Sequence, residues 1–358
     1  MKVVVSCDSI VQRDYYLEIV EAALEVIGGQ CEVYSLVHSH GAVVGPIQER
    51  KILSSFLSNF VDSNNDLLKS SYLIPGAAKN LFIPCSVDLI INISRGFSHG
   101  IKKCKTTKQV TFLVEDLNQK KRKKSFKEKI FSVLVSSFQK KSLVNSDELW
   151  TSNLDLVPAN LKDKAKLVMP TLKLTDYKLL PEAMFSYDYI LINVEPHSAQ
   201  EVSDMMQALE QASIKYKFIG EDNHLEQLKA THEDKFFGAR CSGEMAPLLA
   251  GCKYLVDLEA QNLPTWTLKT MASGRPVYGA KNNFMDFGQG RLEAPELCKS
   301  IELSVPELDR NKIRARALAF EELKFKHLLK KTLAQSGGLS FSKVDKAGES
   351  NDSNEQCC

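Results

Sequence analysis

Apolar residues recur along this chain in two periods, and the change from one to the other marks its elements. Lys2–Ser6 reads as a strand. Tyr15–Ile27 sets Leu17, Val20, Leu24 and Ile27 three or four apart and predicts an amphipathic helix, which Gly28-Gly29 stops. Cys31–Leu36 is the next strand, completing one βαβ unit. Further strands are expected at Ser86–Ile93, Gln109–Val114 and Ala165–Met169. A short helix is expected over Ile52–Phe60, and a partly helical stretch over Leu67–Phe82, broken at Pro75-Gly76. After Tyr187 the alternation becomes regular. Strands at Tyr187–Asn193, Lys215–Ile219, Lys235–Gly238, Tyr254–Leu258 and Val277-Tyr278 are interleaved with helices at Ala199–Ala212, His224–Lys229, Gly243–Gly251 and Thr267–Ser273. This pattern predicts an α/β protein with parallel sheets covered on both faces. The polar stretch Thr171–Met184 is the best boundary, giving domains at 1–183 and 184–310. A mainly helical segment, 311–334, returns to the first domain, and a polar tail, 335–358, has nothing to bury.

The stretch from Tyr254 to Ala280 organises the second half. A strand feeds a polar loop, Gln261–Trp266, and then a helix closed by Gly274, with Arg275-Pro276 opening the next strand. A strand, a loop and a helix N-terminus together present backbone N–H groups to an anion. In the first half, Glu115 and Asp116 follow a strand at its carboxyl end, where parallel sheets receive ligands. Both are candidates for a general base or an acceptor contact, and the loop histidine His197 is a third catalytic candidate.

Composition narrows the classes. The chain of 358 residues is 44% apolar and 25% charged with a net charge of +2, so no global field argues for nucleic acid. The basic run Lys120–Lys124, with Lys127 and Lys129, reads either as a solvated loop opening a surface helix or as a patch for an anionic membrane or substrate. No run of about 18 apolar residues occurs. Nine cysteines without a CxxC pair point to a reducing cytoplasm with mostly buried thiols, and the terminal Cys357-Cys358 is left without a role. The histidines lack ligand spacing, His38-x-His40 being the nearest approach, so no metal site is expected. No Gly-x-Gly-x-x-Gly is present, which disfavours a nicotinamide dehydrogenase.

Several segments together resemble a nucleotide-sugar-dependent glycosyltransferase of the GT-B fold, nearest its large retaining, family 4-like group. They are CEVYSLV, YLIPGAAKNL with SVDLIINIS, VLVSSFQKKSLV, KFIGEDNHLEQL, LKTMASGRPVYGA and AFEELKFKHLLKKTL. The resemblance implies two Rossmann-like domains whose parallel sheets face a cleft. It further implies a nucleotide-sugar as donor substrate, with no cofactor, and a glycan or lipid-linked acceptor. Members place two glutamates at the positions held here by Gln261 and Lys269, and an arginine and a lysine at those held by Asn193 and Ser198. With Arg275, these are the candidate donor contacts, and the usual charges are missing from most of them.

A diphosphate needs cations and N–H donors, because taking it out of water is costly unless each oxygen is satisfied. Asn193 and Ser198 can donate but cannot neutralise. Two readings therefore stand: a divergent enzyme transferring a hexose, or a degenerate homologue that binds a glycan, a nucleotide or a partner protein. An open, cation-lined pocket above Lys269 would favour the enzyme; a pocket filled by Trp266 or Phe284 would not.

Overall fold

A computed structural model describes residues 1–29, 31–43, 45–117, 126–168, 172–181, 188–195, 197–220, 225–238, 242–258, 265–279, 291–293 and 309–337. In chain order the first half holds β1 (Val3–Ile10), α1 (Tyr15–Ile27), β2 (Val33–His38), β3 (Ile52–Ser54), α2 (Asn64–Lys69) and α3 (Ile74–Asn80). It continues with β4 (Leu89–Ser94), β5 (Lys108–Leu113), α4 (Phe126–Leu143), β6 (Glu148–Thr151) and β7 (Ala165–Leu167). The second half holds β8 (Ile190–Asn193), α5 (Ala199–Gln211), β9 (Tyr216–Ile219), α6 (Glu226–Thr231) and α7 (Ser242–Gly251). Then come β10 (Leu255–Asp257), α8 (Thr265–Ala272), β11 (Val277–Gly279), β12 (Arg291–Glu293), α9 (Arg310–Ala317) and α10 (Glu322–Gly337).

Two parallel sheets result, in the orders β3-β2-β1-β4-β5-β6-β7 and β12-β11-β10-β8-β9. Each is buried on both faces, as the near-continuous apolar strands require. One face of the first sheet packs Val5, Ile91 and Phe112 under α1 and α10; the other packs Tyr34, Leu36 and Ile90 under α2, α3 and α4. The second sheet is covered likewise, by α7, α8 and α9 on one side and α5 on the other. The final helix crosses back: Phe325 stacks on Phe112 with centroids 5.6 Å apart, and Lys326 pairs with Glu25 of α1 at 2.5 Å.

The expected helix over Ile52–Phe60 is instead strand β3 followed by a single 3-10 turn, because Ile52 and Leu53 pair with Val33 and Tyr34 at the sheet edge. Pro75 opens α3 rather than breaking a helix, since its missing N–H falls in the first turn. The expected strand at Lys235–Gly238 is reduced to one bridge, Phe236 to Phe218. Cys85 and Cys104 are disulfide-bonded, whereas Cys7, Cys31 and Cys252 are buried free thiols. Burial pushes Cys7 and Cys252 up to about 12, which makes them poor nucleophiles. The tail from 338 lies outside the described residues.

Candidate active site

In each sheet the strand order reverses at one point, between β1 and β4 in the first and between β8 and β10 in the second. A crevice opens outside the carboxyl ends of strands at such a reversal. Here each crevice holds a buried aspartate.

In the first sheet it is Asp8, fully buried within β1. Its carboxylate accepts from the backbone N–H groups of Phe97 at 2.8 Å and Ser98 at 2.7 Å, and from that of Arg95. Burial pushes Asp8 up to about 6, against the pull of these donors. The segment Gln12-Arg13-Asp14, which stands where a glycine-rich turn is usual, starts α1: Asp14 caps the helix by accepting from Leu17 N at 3.1 Å. Asp14 also pairs with Arg95 at 2.8 Å, and Arg95 pairs in turn with Glu115. The guanidinium, 4% exposed, lies 4.5 Å from the Tyr16 ring centroid and 5.9 Å from that of Tyr15. One buried cation thus holds two carboxylates at the mouth of the first sheet.

Asp116, next to Glu115, points a different way. It accepts from Gln139 Nε2 at 2.9 Å and lines a cavity of about 270 Å³ at the carboxyl ends of β5 and β6, with Gly96, His99 and Asp155. A larger concavity of about 590 Å³, beside Asp188, Ser213 and Lys215, lies at the amino ends of β8 and β9, away from the crevice. His99 is buried, with Nδ1 3.0 Å from Ser94 Oγ and Nε2 3.1 Å from the Gln139 carbonyl; burial pulls it down to about 4.

In the second sheet the aspartate is Asp257, at the end of β10. It accepts from Asn193 Nδ2 at 3.1 Å across the reversal and from Thr267 Oγ1 of α8 at 2.7 Å. Asn193 Oδ1 then accepts from Glu195 N at 3.1 Å, and Glu195 Oε1 from Trp266 Nε1 at 2.9 Å. The loop after β8 is thereby tied to the start of α8. His197 sits in that loop, where burial lowers its imidazole below the ordinary range while Glu201 and Asp257 oppose. Ser198 caps α5 in a reciprocal box with Glu201, its N–H donating to Glu201 Oε2 at 2.7 Å. The Arg275 guanidinium, on a residue 8% exposed, donates from Nε to the Ala250 carbonyl at 2.6 Å, at the end of α7.

The two walls meet at Lys269. Its ammonium stands 3.7 Å from Glu18 Oε1 on α1, and 5.5 Å and 5.7 Å from the ring centroids of Trp266 and Tyr177. Tyr15, beside Arg95, packs against the second domain's core. The structure therefore brings Glu115, Asn193, His197 and Lys269 to the crevice walls. It leaves Ser198 on a helix cap and Arg275 on a carbonyl. The rings of Trp266 and Tyr177 flank the Lys269 ammonium. Gln261 and the run Lys120–Lys124 lie outside the described residues. Among the described residues no group of His, Cys, Asp and Glu could hold a metal ion.

The sequence does not foretell the partners of three participants. Glu18 looks like any acid on the solvent face of a helix. Arg95 shows only as a cation after a strand. Asp8 carries a signal, a charge inside an apolar strand, which asks for a dedicated set of donors.

No protein-family model matches the chain, and no curated protein matches it. Solved structures do. The outer-core lipopolysaccharide galactosyltransferase WaaB, in its apo form, superposes with a TM-score of 0.55 at 11% identity, over 95% of this chain and 100% of that one. Anabaena HepE in complex with UDP-glucose gives 0.56 at 12%, over 93% and 99%. HepE with UDP and glucose gives 0.57 at 12%, over 94% and 100%. The architecture is that of GT-B glycosyltransferases: two parallel α/β sheets facing a cleft.

Proposed function

We propose that this chain is a retaining, metal-independent glycosyltransferase that takes a nucleotide-sugar into the cleft and passes its hexose to a glycan or lipid-linked hydroxyl. The observation that carries the reading is the contact between the helices that follow the two strand-order reversals, Glu18 of α1 standing 3.7 Å from Lys269 of α8, with the Arg95–Glu115 pair beside the start of α1. Structures of the same architecture support a hexose donor, since HepE is held with UDP-glucose and WaaB is a galactosyltransferase.

In this reading the donor diphosphate lies at the start of α8, where backbone N–H groups and the helix dipole favour an anion. Lys269 supplies a cation in place of the missing arginine and lysine. Glu18 already gives that ammonium a carboxylate at 3.7 Å, so Glu18 and the diphosphate compete for one charge. Glu115, held by Arg95, orients the acceptor hydroxyl, and Asp116 lines the cavity that receives the rest of the acceptor. His197 is neutral at physiological pH, because burial disfavours its charged form, and it offers a hydrogen bond without adding charge.

A second reading, a degenerate homologue that binds without turnover, draws on a specific observation. Asn193, Lys269 and Arg275 each hold an internal partner, respectively Asp257, Glu18 and the Ala250 carbonyl, and the Trp266 ring lies beside Lys269 where the enzyme asks for an open pocket. The two part experimentally. Calorimetric titration with UDP, GDP and their hexose conjugates is run beside an assay for released nucleoside diphosphate. Saturable binding with release supports the enzyme, and binding without release supports the second reading. Silence across the panel rejects donor binding altogether.

A further inference from the structure

We propose that Cys85 and Cys104 form a thiol–disulfide exchange site, opened and closed on the folded protein by a small thiol of the glutathione class. The two are disulfide-bonded, with Cα atoms 5.2 Å apart, just before β4 and β5. Cys85 is exposed and Cys104 half-buried, whereas Cys7, Cys31 and Cys252 are buried free thiols. Among the described residues, a reagent in solution meets this pair first. The site is preformed without the bond. Ile83 N donates to the Lys102 carbonyl at 2.9 Å, and Lys102 N to that of Ala78 at 3.0 Å. Thr107 Oγ1 donates to the Val87 carbonyl at 2.9 Å and ties the same two segments on their far side. These bonds hold the sulfur-bearing segments together in either redox state, so exchange needs no unfolding.

Exposure and charge set the order of events. An incoming thiolate meets Sγ of Cys85, the exposed sulfur, and forms a mixed disulfide as the Cys85–Cys104 bond breaks. Cys104 takes the electron pair and leaves as a thiolate beside Lys102, Lys103 and Lys105. Lys103 is drawn to Asp147 at 3.4 Å, and the other two lysines are exposed. Nearby cations favour a thiolate, and a thiol of lowered pKa is the better leaving group. A second small thiolate attacks the mixed disulfide at the small molecule's sulfur and departs as its oxidised dimer. Two electrons and two protons thus pass from two small thiols to the protein, and closing is the reverse. The connection between β4 and β5 lacks the usual crossover helix and holds only a 3-10 turn, Ser98–Gly100. It begins as the loop that carries Arg95 and supplies the N–H donors of Asp8, and Cys104 lies near its end. Closing the disulfide therefore staples a crossover that starts at the crevice. The inference does not rest on the reading of the cleft, and its test contains no nucleotide.

The test equilibrates the full chain, starting from either redox state, in mixtures of reduced and oxidised glutathione. Alkylation and peptide mass mapping then report each cysteine, with circular dichroism to confirm that the protein stays folded. Cys85 and Cys104 are expected to lose and regain alkylation together, along one two-electron curve reached from both sides. Cys104→Ser is expected to collect one glutathione on Cys85. Amide hydrogens of residues 99–104 are expected to exchange roughly fivefold or more faster in the reduced protein than in the oxidised one. The proposal is overturned if the pair stays closed in excess reduced glutathione until the chain is unfolded, or stays open in excess oxidised glutathione. It is equally overturned if either residue pairs with a different cysteine, if Cys104→Ser gathers no adduct on Cys85, or if residues 99–104 exchange alike in both states.

Discussion

At the scale of single residues, the crevice is built from buried polar groups whose partners come from distant parts of the chain. Asp257 accepts from Asn193 on one oxygen and from Thr267 on the other, and Asp8 accepts from three N–H groups of the loop after β4, those of Arg95, Phe97 and Ser98. Positions 193, 198 and 269 are legible in the sequence as candidate donor contacts. Their actual partners are not, because a one-dimensional reading does not reveal that Glu18 on the first helix reaches Lys269. His99 gives a test of how well this region is buried. Its folded value near 4 lies below the ordinary 6.5, so the folded chain refuses a proton that the unfolded chain accepts. That contribution is complete above pH 6.5 and drains as pH falls toward about 4, amounting to about 3 kcal/mol at most. Asp8 acts in the opposite sense: raised from 3.8 to about 6, it favours the folded state at low pH and loses that advantage as pH rises through 6. His99→Gln removes only the first effect. Urea melts across this range are expected to show the variant gaining on wild type as pH falls; a constant difference would contradict the burial of an uncharged His99.

At the scale of elements, the strongly periodic segments are the ones the sequence foretells. Helix α1 runs from Tyr15 to Ile27 as expected, because Asp14 caps one end and Gly28 closes the other. β3 was hidden, since Ile52-Leu53-Ser54 is too short to display a period and is a strand only because β2 lies beside it. Ser198 has the same lesson in function: its position suggests a donor contact, while its hydroxyl and Glu201 form a capping box on α5. Ser198→Ala is expected to cost about 1 kcal/mol of stability, read in a thermal or urea melt, and to leave nucleotide affinity nearly unchanged. Loss of affinity with stability intact would return Ser198 to the donor site. Gly220, after β9, sits at φ +109°, and a methyl group there would come within 2.5 Å of Asn193 Oδ1. Gly220→Ala is therefore expected to destabilise by about 2–3 kcal/mol or more, through strain at the strand end that supports Asn193. A melt indistinguishable from wild type would mean that this loop is free to rearrange.

At the scale of the whole molecule, two sheets with independent cores meet along a crevice, and the last helix ties the second half back onto the first. The alternation of strands and helices makes that α/β architecture readable in advance; the meeting of the two walls at Lys269 depends on its contacts with Trp266, Tyr177 and Glu18 and is not. In the proposed function Lys269 is the cation shared between Glu18 and a donor diphosphate. Calorimetric titration with UDP-glucose and its GDP counterpart, on wild type, Glu18→Gln and Lys269→Ala, tests it most directly. Removing the competing carboxylate is expected to tighten binding by roughly fivefold, the worth of about 1 kcal/mol for a partly exposed ion pair, and Lys269→Ala is expected to weaken it by at least as much. Equal affinities in all three proteins, or none in any, would contradict the claim.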